Sequence, residues 1–221
     1  MEKIEYRTID KSGWSRGEWD DEPDKMQWVD EQTSMPCLIV RNNGGALCGY
    51  VGVGRNHPLF GKDYNDCISP EKHEGPVDYH YECTPSGILE AHGGITFADG
   101  CHTATREGFE KMRASVQKHK DEATRFPVGD SARWLRDWLP MLGDFELFKR
   151  RVEATAVCHV GDDLEPVWWF GFDCAHCGDV SPAYGRFMSI SDGDTYRNLA
   201  YVQEQCAGLA RQLAEQCACP E

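Results

Sequence analysis

The sequence predicts an α+β fold: a mostly antiparallel sheet with hairpins, covered by a C-terminal amphipathic helix and two shorter helices. Three observations predict it. Two apolar runs, Pro36–Val40 and Leu47–Val53, flank the turn signal Asn42-Asn43-Gly44-Gly45 and read as a β-hairpin. Leu199, Val202, Cys206, Leu209 and Leu213 recur at spacings of 3, 4, 3 and 4, one face of a helix. The order hairpin, strands, helices, hairpin, helix lacks the strict βαβ alternation that builds parallel sheets.

Taken in order, residues 1–35 are polar and acidic but carry Trp14, Trp19 and Trp28. They read as an irregular N-terminal arm laying aromatic anchors on the body, and residues 36–221 as a single α+β domain. Within the first hairpin, glycines at 49, 52 and 54 point to a bulge or a close backbone approach. Residues 54–76 read as a long loop of the kind that often carries function. Val77–Cys83 alternates like a strand, and Ile88–Phe97 is an apolar stretch broken by His92-Gly93-Gly94. Residues 105–120 suit a helix with Phe109, Met112 and Val116 on one face and Thr105 as cap. Asp130 or Ser131 caps a second short helix carrying Trp134, Leu135, Trp138 and Leu139, stopped near Pro140. Val152, Ala154, Ala156, Cys158 and Val160 alternate, so 152–160 reads as a half-buried strand. Gly161-Asp162-Asp163 turns the chain, and Pro166–Phe172 is its nearly all-apolar central partner. Asp192 or Asp194 caps the last helix.

Composition excludes several classes. The net charge is −14, from 37 acidic and 23 basic residues, and Lys149-Arg150-Arg151 is the only tight basic cluster. A long nucleic acid is therefore excluded as partner, because duplex binding needs a basic face that releases counterions. A small phosphorylated ligand needs only one or two cations, and an acidic surface also suits a basic partner protein. With no signal-like N-terminus and no apolar run long enough for a bilayer, the chain is expected in the cytoplasm, with no membrane partner. Eleven cysteines, an odd number, then read mainly as reduced core residues.

The chemistry concentrates where the apolar run Trp168–Phe172 gives way to Asp173-Cys174-Ala175-His176-Cys177-Gly178-Asp179. Ionisable groups at the end of a buried strand are a usual site architecture. Asp173 and His176, three apart, fall on one side of a tight turn. A second constellation is His92-Gly93-Gly94, followed by Thr96 and Asp99; paired glycines let a ligand approach the backbone. If the two stretches are neighbours, His92, Asp173 and His176 form a two-histidine, one-carboxylate site for zinc, manganese or magnesium. Gly93, Gly94 and Thr96 would then contact the ligand, and Asp179 or Asp99 would be the catalytic base. Cys174 and Cys177 read mainly as packing: a structural zinc needs a second close pair, and only Cys217 and Cys219 at the chain end offer one. Lone His57, His102 and His159 read as satisfied or surface residues. No Walker loop, nucleophile elbow, zincin or zinc-deaminase signature is present.

Several stretches together resemble a family of uncharacterised phage and prophage proteins: Trp28-Val29-Asp30, Pro36–Ile39, Leu47–Val53, His57-Pro58, His92–Phe97, Trp168–Asp179 and Tyr196–Val202. The resemblance covers most of the chain and implies an origin, a dispensable phage gene acting in the host cytoplasm, without an established activity. In similar sequences the position of Cys177 is often another residue, which leaves Asp173, Cys174 and His176 as the better ligand candidates.

Two functions follow as expectations. The first is a phage-encoded, metal-assisted hydrolase of a small phosphoester or nucleotide. The second is a non-enzymatic counter-defence protein that sequesters a nucleotide signal or inhibits a host protein. In it, aromatics would stack a base while Arg55, Lys62 and Arg186 met phosphate.

Overall fold

The computed structural model describes residues 3–68, 81–101, 106–125, 139, 142–158, 166–184 and 193–217. One antiparallel sheet of six strands organises them, in the order β1-β2-β3-β4-β6-β5. The strands are β1 (Ile4–Tyr6), β2 (Lys25–Val29), β3 (Pro36–Arg41), β4 (Leu47–Gly54), β5 (Phe97–Gly100) and β6 (Val167–Asp173). The helices are α1 (Pro85–Ile88), α2 (Arg106–Arg125), α3 (Phe145–Thr155) and α4 (Leu199–Cys217). The α+β class is thus as the sequence predicts.

The chain divides into two compact units, Met1–Cys101 with Val157–Glu221, and His102–Ala156. The first holds the whole sheet. Its hairpin β3–β4 turns where expected, with Asn42 accepting from Ala46 N–H and Gly45 at φ +86°. The close approach is real at two of the three β4 glycines: a Cβ at Gly49 would enter the Phe172 ring and one at Gly52 would strike Val167, whereas one at Gly54 would meet nothing within 4 Å. β6 is central, paired to β4 on one side and β5 on the other. α4 lays Val202, Cys206, Leu209 and Leu213, all fully buried, over the sheet. The helix is capped by Asn198, whose side chain accepts from Tyr201 N–H, rather than by Asp194; Asp192 lies outside the described residues. Glu22 adds a second cap on Leu199 N–H.

Three expectations change. Residues 1–35 are not an irregular arm: β1 and β2 join the sheet edge, with Met26 opposite Ile39. The aromatic anchoring holds, since buried Trp19 meets Tyr196 edge-on at 5.0 Å. The 152–160 strand is overturned by α3. Asp144 caps that helix through Leu147 N–H, and Phe145, Phe148 and Val152 form a helical stripe against Phe109 of α2. The alternation over Val152, Ala154 and Ala156 was coincidental with that stripe. Residues Tyr81–Cys83 form a 3-10 turn rather than a strand. The expected helix over 130–138, the Thr105 cap, the turn at 161–163 and the loop and strand over 69–80 lie outside the described residues.

The cysteines also depart from expectation. Cys67–Cys83 and Cys101–Cys158 are disulfides. The second joins the two points between which residues 102–156 leave the sheet unit and return. Buried Lys25 secures the same place, its Nζ donating to the Cys158 carbonyl at 2.9 Å. Cys37, Cys48, Cys174 and Cys206 are buried free thiols, as read from sequence. Burial pushes Cys37 and Cys48 up to about 12, so they stay protonated packing groups.

Candidate functional site

The site forms where the end of β6, the loop before β5 and the start of α4 meet. β6 stops at Asp173, whose carboxylate accepts from Ala175 N–H at 3.0 Å and starts a turn. A second turn closes from Asp179 N–H to the His176 carbonyl, with Gly178 at φ +90°. Asp179 then bridges to Thr195, which delivers the chain to α4. On the other side, Gly94 N–H donates to the Ala91 carbonyl, with Gly93 at φ +68° and Gly94 at φ +89°. Thr96 N–H ties this loop to the Gly171 carbonyl of β6. The glycine at 93 is required twice over, because a Cβ there would collide with the His176 imidazole.

His92 is the centre of the cluster. Its Nε2 lies 2.7 Å from Asp179 Oδ2 and its Nδ1 2.9 Å from the Tyr201 hydroxyl. A carboxylate only accepts, so Nε2 carries the proton and donates to Asp179. With the ring in that tautomer, Nδ1 accepts from the Tyr201 O–H. The Asp179 side chain is 2% exposed and is bound from three directions. Besides His92, it takes Arg197 Nε at 2.8 Å and His176 N–H at 3.0 Å. Burial alone would raise its pKa, but the bonds from Arg197, His92 and His176 N–H outweigh that and hold it below the ordinary 3.8. Arg197 also places its guanidinium over the Tyr201 ring at 5.1 Å. The His92 and His176 rings stand 5.7 Å apart.

Most residues singled out in the sequence therefore converge. His92, Asp173, His176 and Asp179 share one cluster, with Gly93 packed on His176 and Thr96 Oγ1 in a long contact, 3.4 Å, to Asp173. Both His92 nitrogens face protein partners. Among the described residues no group of three His, Cys, Asp or Glu side chains is placed to hold a metal ion. His176 Nε2 stands 3.7 Å from Asp173 Oδ1, a two-donor pair only. Cys174 is buried, and burial, with Asp179 nearby, pushes its thiol up, whereas Cys177 is exposed. Asp99 lies apart: it faces Trp169 across the ladder, four residues, or roughly 13 Å, from Asp173 along β6. His57 is a satisfied buried histidine, between Leu59 N–H and the Leu213 carbonyl. His102, His159 and Arg186 lie outside the described residues.

Tyr201 and Arg197 are the members that sequence reasoning missed. Their one signal is position: an aromatic just off the buried stripe of α4 and a cation before its cap. No known protein family, curated protein or solved structure matches the chain. Among the described residues no helix is long and apolar enough to cross a membrane.

Proposed function

We propose that the chain is a hydrolase of a small phosphoester or nucleotide, driven by proton transfer at His92. The observation that carries this is the Tyr201–His92–Asp179 chain. It sets a hydroxyl on an imidazole that a buried, ionised carboxylate orients, the arrangement that activates hydroxyl nucleophiles elsewhere. Tyr201 oxygen attacks phosphorus as its proton passes to His92 Nδ1. The imidazolium, stabilised by Asp179, returns that proton to the departing alkoxide. Water, deprotonated by His92, then displaces phosphate from Tyr201 and restores the phenol. Arg197 holds Asp179 in place as a positioning residue. A divalent metal is not needed for any of these steps.

The test is turnover of a panel of chromogenic phosphate mono- and diesters with chelator present. Wild type is expected to turn over at least one. His92→Ala and Tyr201→Phe are expected to lower kcat by about 10²–10⁴-fold. No turnover by wild type, or full activity in His92→Ala, overturns the reading. An intact ligand recovered from the denatured protein would favour the sequestering alternative instead.

A further inference from the structure

A groove of about 390 Å³ opens beside His92, between the loop holding Glu90 and the outer face of α4. Its α4 wall runs Glu204, Gly208, Arg211 and Gln212, continuing from Tyr201 at helical spacing. Gln212 closes the far end, pairing with the backbone N–H and carbonyl of Glu90 at 2.7 and 2.8 Å.

Gly208 is the telling residue. It lies inside a helix, where glycine is less stable than alanine. Yet a Cβ there would meet only Arg211 Nη2, at 3.9 Å, so nothing in the fold demands a glycine. It lines the groove beside the Arg211 guanidinium. That guanidinium reaches back toward the helix start, as long helical side chains do. Gly208 is seven residues beyond Tyr201, roughly 10 Å along the helix axis.

We propose that this groove binds the substrate and that Arg211 anchors a second anionic group on it, about 10 Å from the phosphorus attacked at Tyr201. This rests on the function proposed above and names its substrate class: a phosphoester carrying a second phosphate or carboxylate. Exposed Glu204 between the ends and exposed Glu90 at the far one favour hydroxyl or amino donors along the groove and repel further anions.

The experiment titrates inorganic phosphate into isotope-labelled protein at constant ionic strength, followed by NMR. The Gly208 and Arg211 signals are expected to shift. Arg211→Ala is expected to weaken phosphate about tenfold or more. Tyr201→Phe is expected to bind it unchanged, while Gly208→Leu keeps or raises the melting temperature and loses binding. Shifts confined to another surface, or equal binding in Arg211→Ala, overturn the groove proposal. Turnover that persists unaltered in both Arg211→Ala and Gly208→Leu overturns it alone, leaving the His92 mechanism standing. Phosphate bound at Arg211 without turnover of any ester overturns the mechanism and supports the groove.

Discussion

Replacing Asp179 by Asn tests how much one buried carboxylate organises. The two side chains match in shape, but the carboxylate only accepts, on both oxygens. Oδ2 takes His92 Nε2–H and His176 N–H, and Oδ1 takes Arg197 Nε–H. In one orientation the Asn amide nitrogen faces Arg197; in the other it faces His92 and His176. Each sets donor against donor at a side chain that is 2% exposed. Losing one bond to a charged partner and stranding its donor costs about 3 kcal/mol. At about 2–4 °C per kcal/mol for a chain of this size, the melting temperature should fall by roughly 6–12 °C. Thermal unfolding followed by tryptophan fluorescence measures it. The effect must also depend on pH. A carboxyl held below its ordinary 3.8 contributes stability that is present above that value and lost as pH falls through the folded one. The gap between wild type and Asp179→Asn should therefore be full at neutral pH and shrink in acid. A gap absent at neutral pH, or unchanged in acid, would refute the reasoning.

Three further outcomes are expected. Buried His57 has its pKa drawn below 6.5 by burial, against a smaller upward pull from the Leu213 carbonyl. Wild-type stability should then be complete above pH 6.5 and decline below it, by at most about 1.4 kcal/mol per pH unit, and His57→Asn should flatten that slope in urea titrations. Gly93→Ala places a Cβ against His176 at φ +68°; it should cost about 1–3 kcal/mol and displace the His176 ring signals in NMR. Removing the Cys101–Cys158 cross-link with serine at both positions opens a closure over a separation of 57 residues. It should cost about 4 kcal/mol in denaturant melts, and non-reducing peptide mapping should find the bond in wild type alone.

What was legible in the sequence was local. The Asn42–Gly45 turn fixes the β3–β4 hairpin, and the apolar run to Asp173 marks β6 and its polar end. The 3-and-4 spacing fixes α4. What stayed hidden needed partners far along the chain. β2 carries buried Lys25 and Gln27, polar residues that mask a strand until something satisfies them; for Lys25 that includes the Cys158 carbonyl. Alternation of Val152, Ala154 and Ala156 across the end of α3 imitated a strand because Phe145 and Phe148, which give the helix its stripe, precede it. At the site, His92 and the 173–179 turn announced themselves by residue type. Tyr201 did not, because its role exists only through a hydrogen bond spanning 109 positions.

The placement of β6 between β4 and β5 bears on how the chain is made. β4 is complete at Gly54, but the strand that covers its free edge begins only at Val167, on the order of a hundred residues later. At about 5–20 residues per second of synthesis, an apolar ladder stays unpaired for roughly 5–20 s. Such an edge templates pairing with other nascent copies, so yield should depend on expression rate and on chaperones that shield strand edges. Slowed translation would lengthen the exposure rather than relieve it, and the His92–Asp179–Tyr201 cluster, which draws on the end of β6 and the start of α4, can form only once that wait is over.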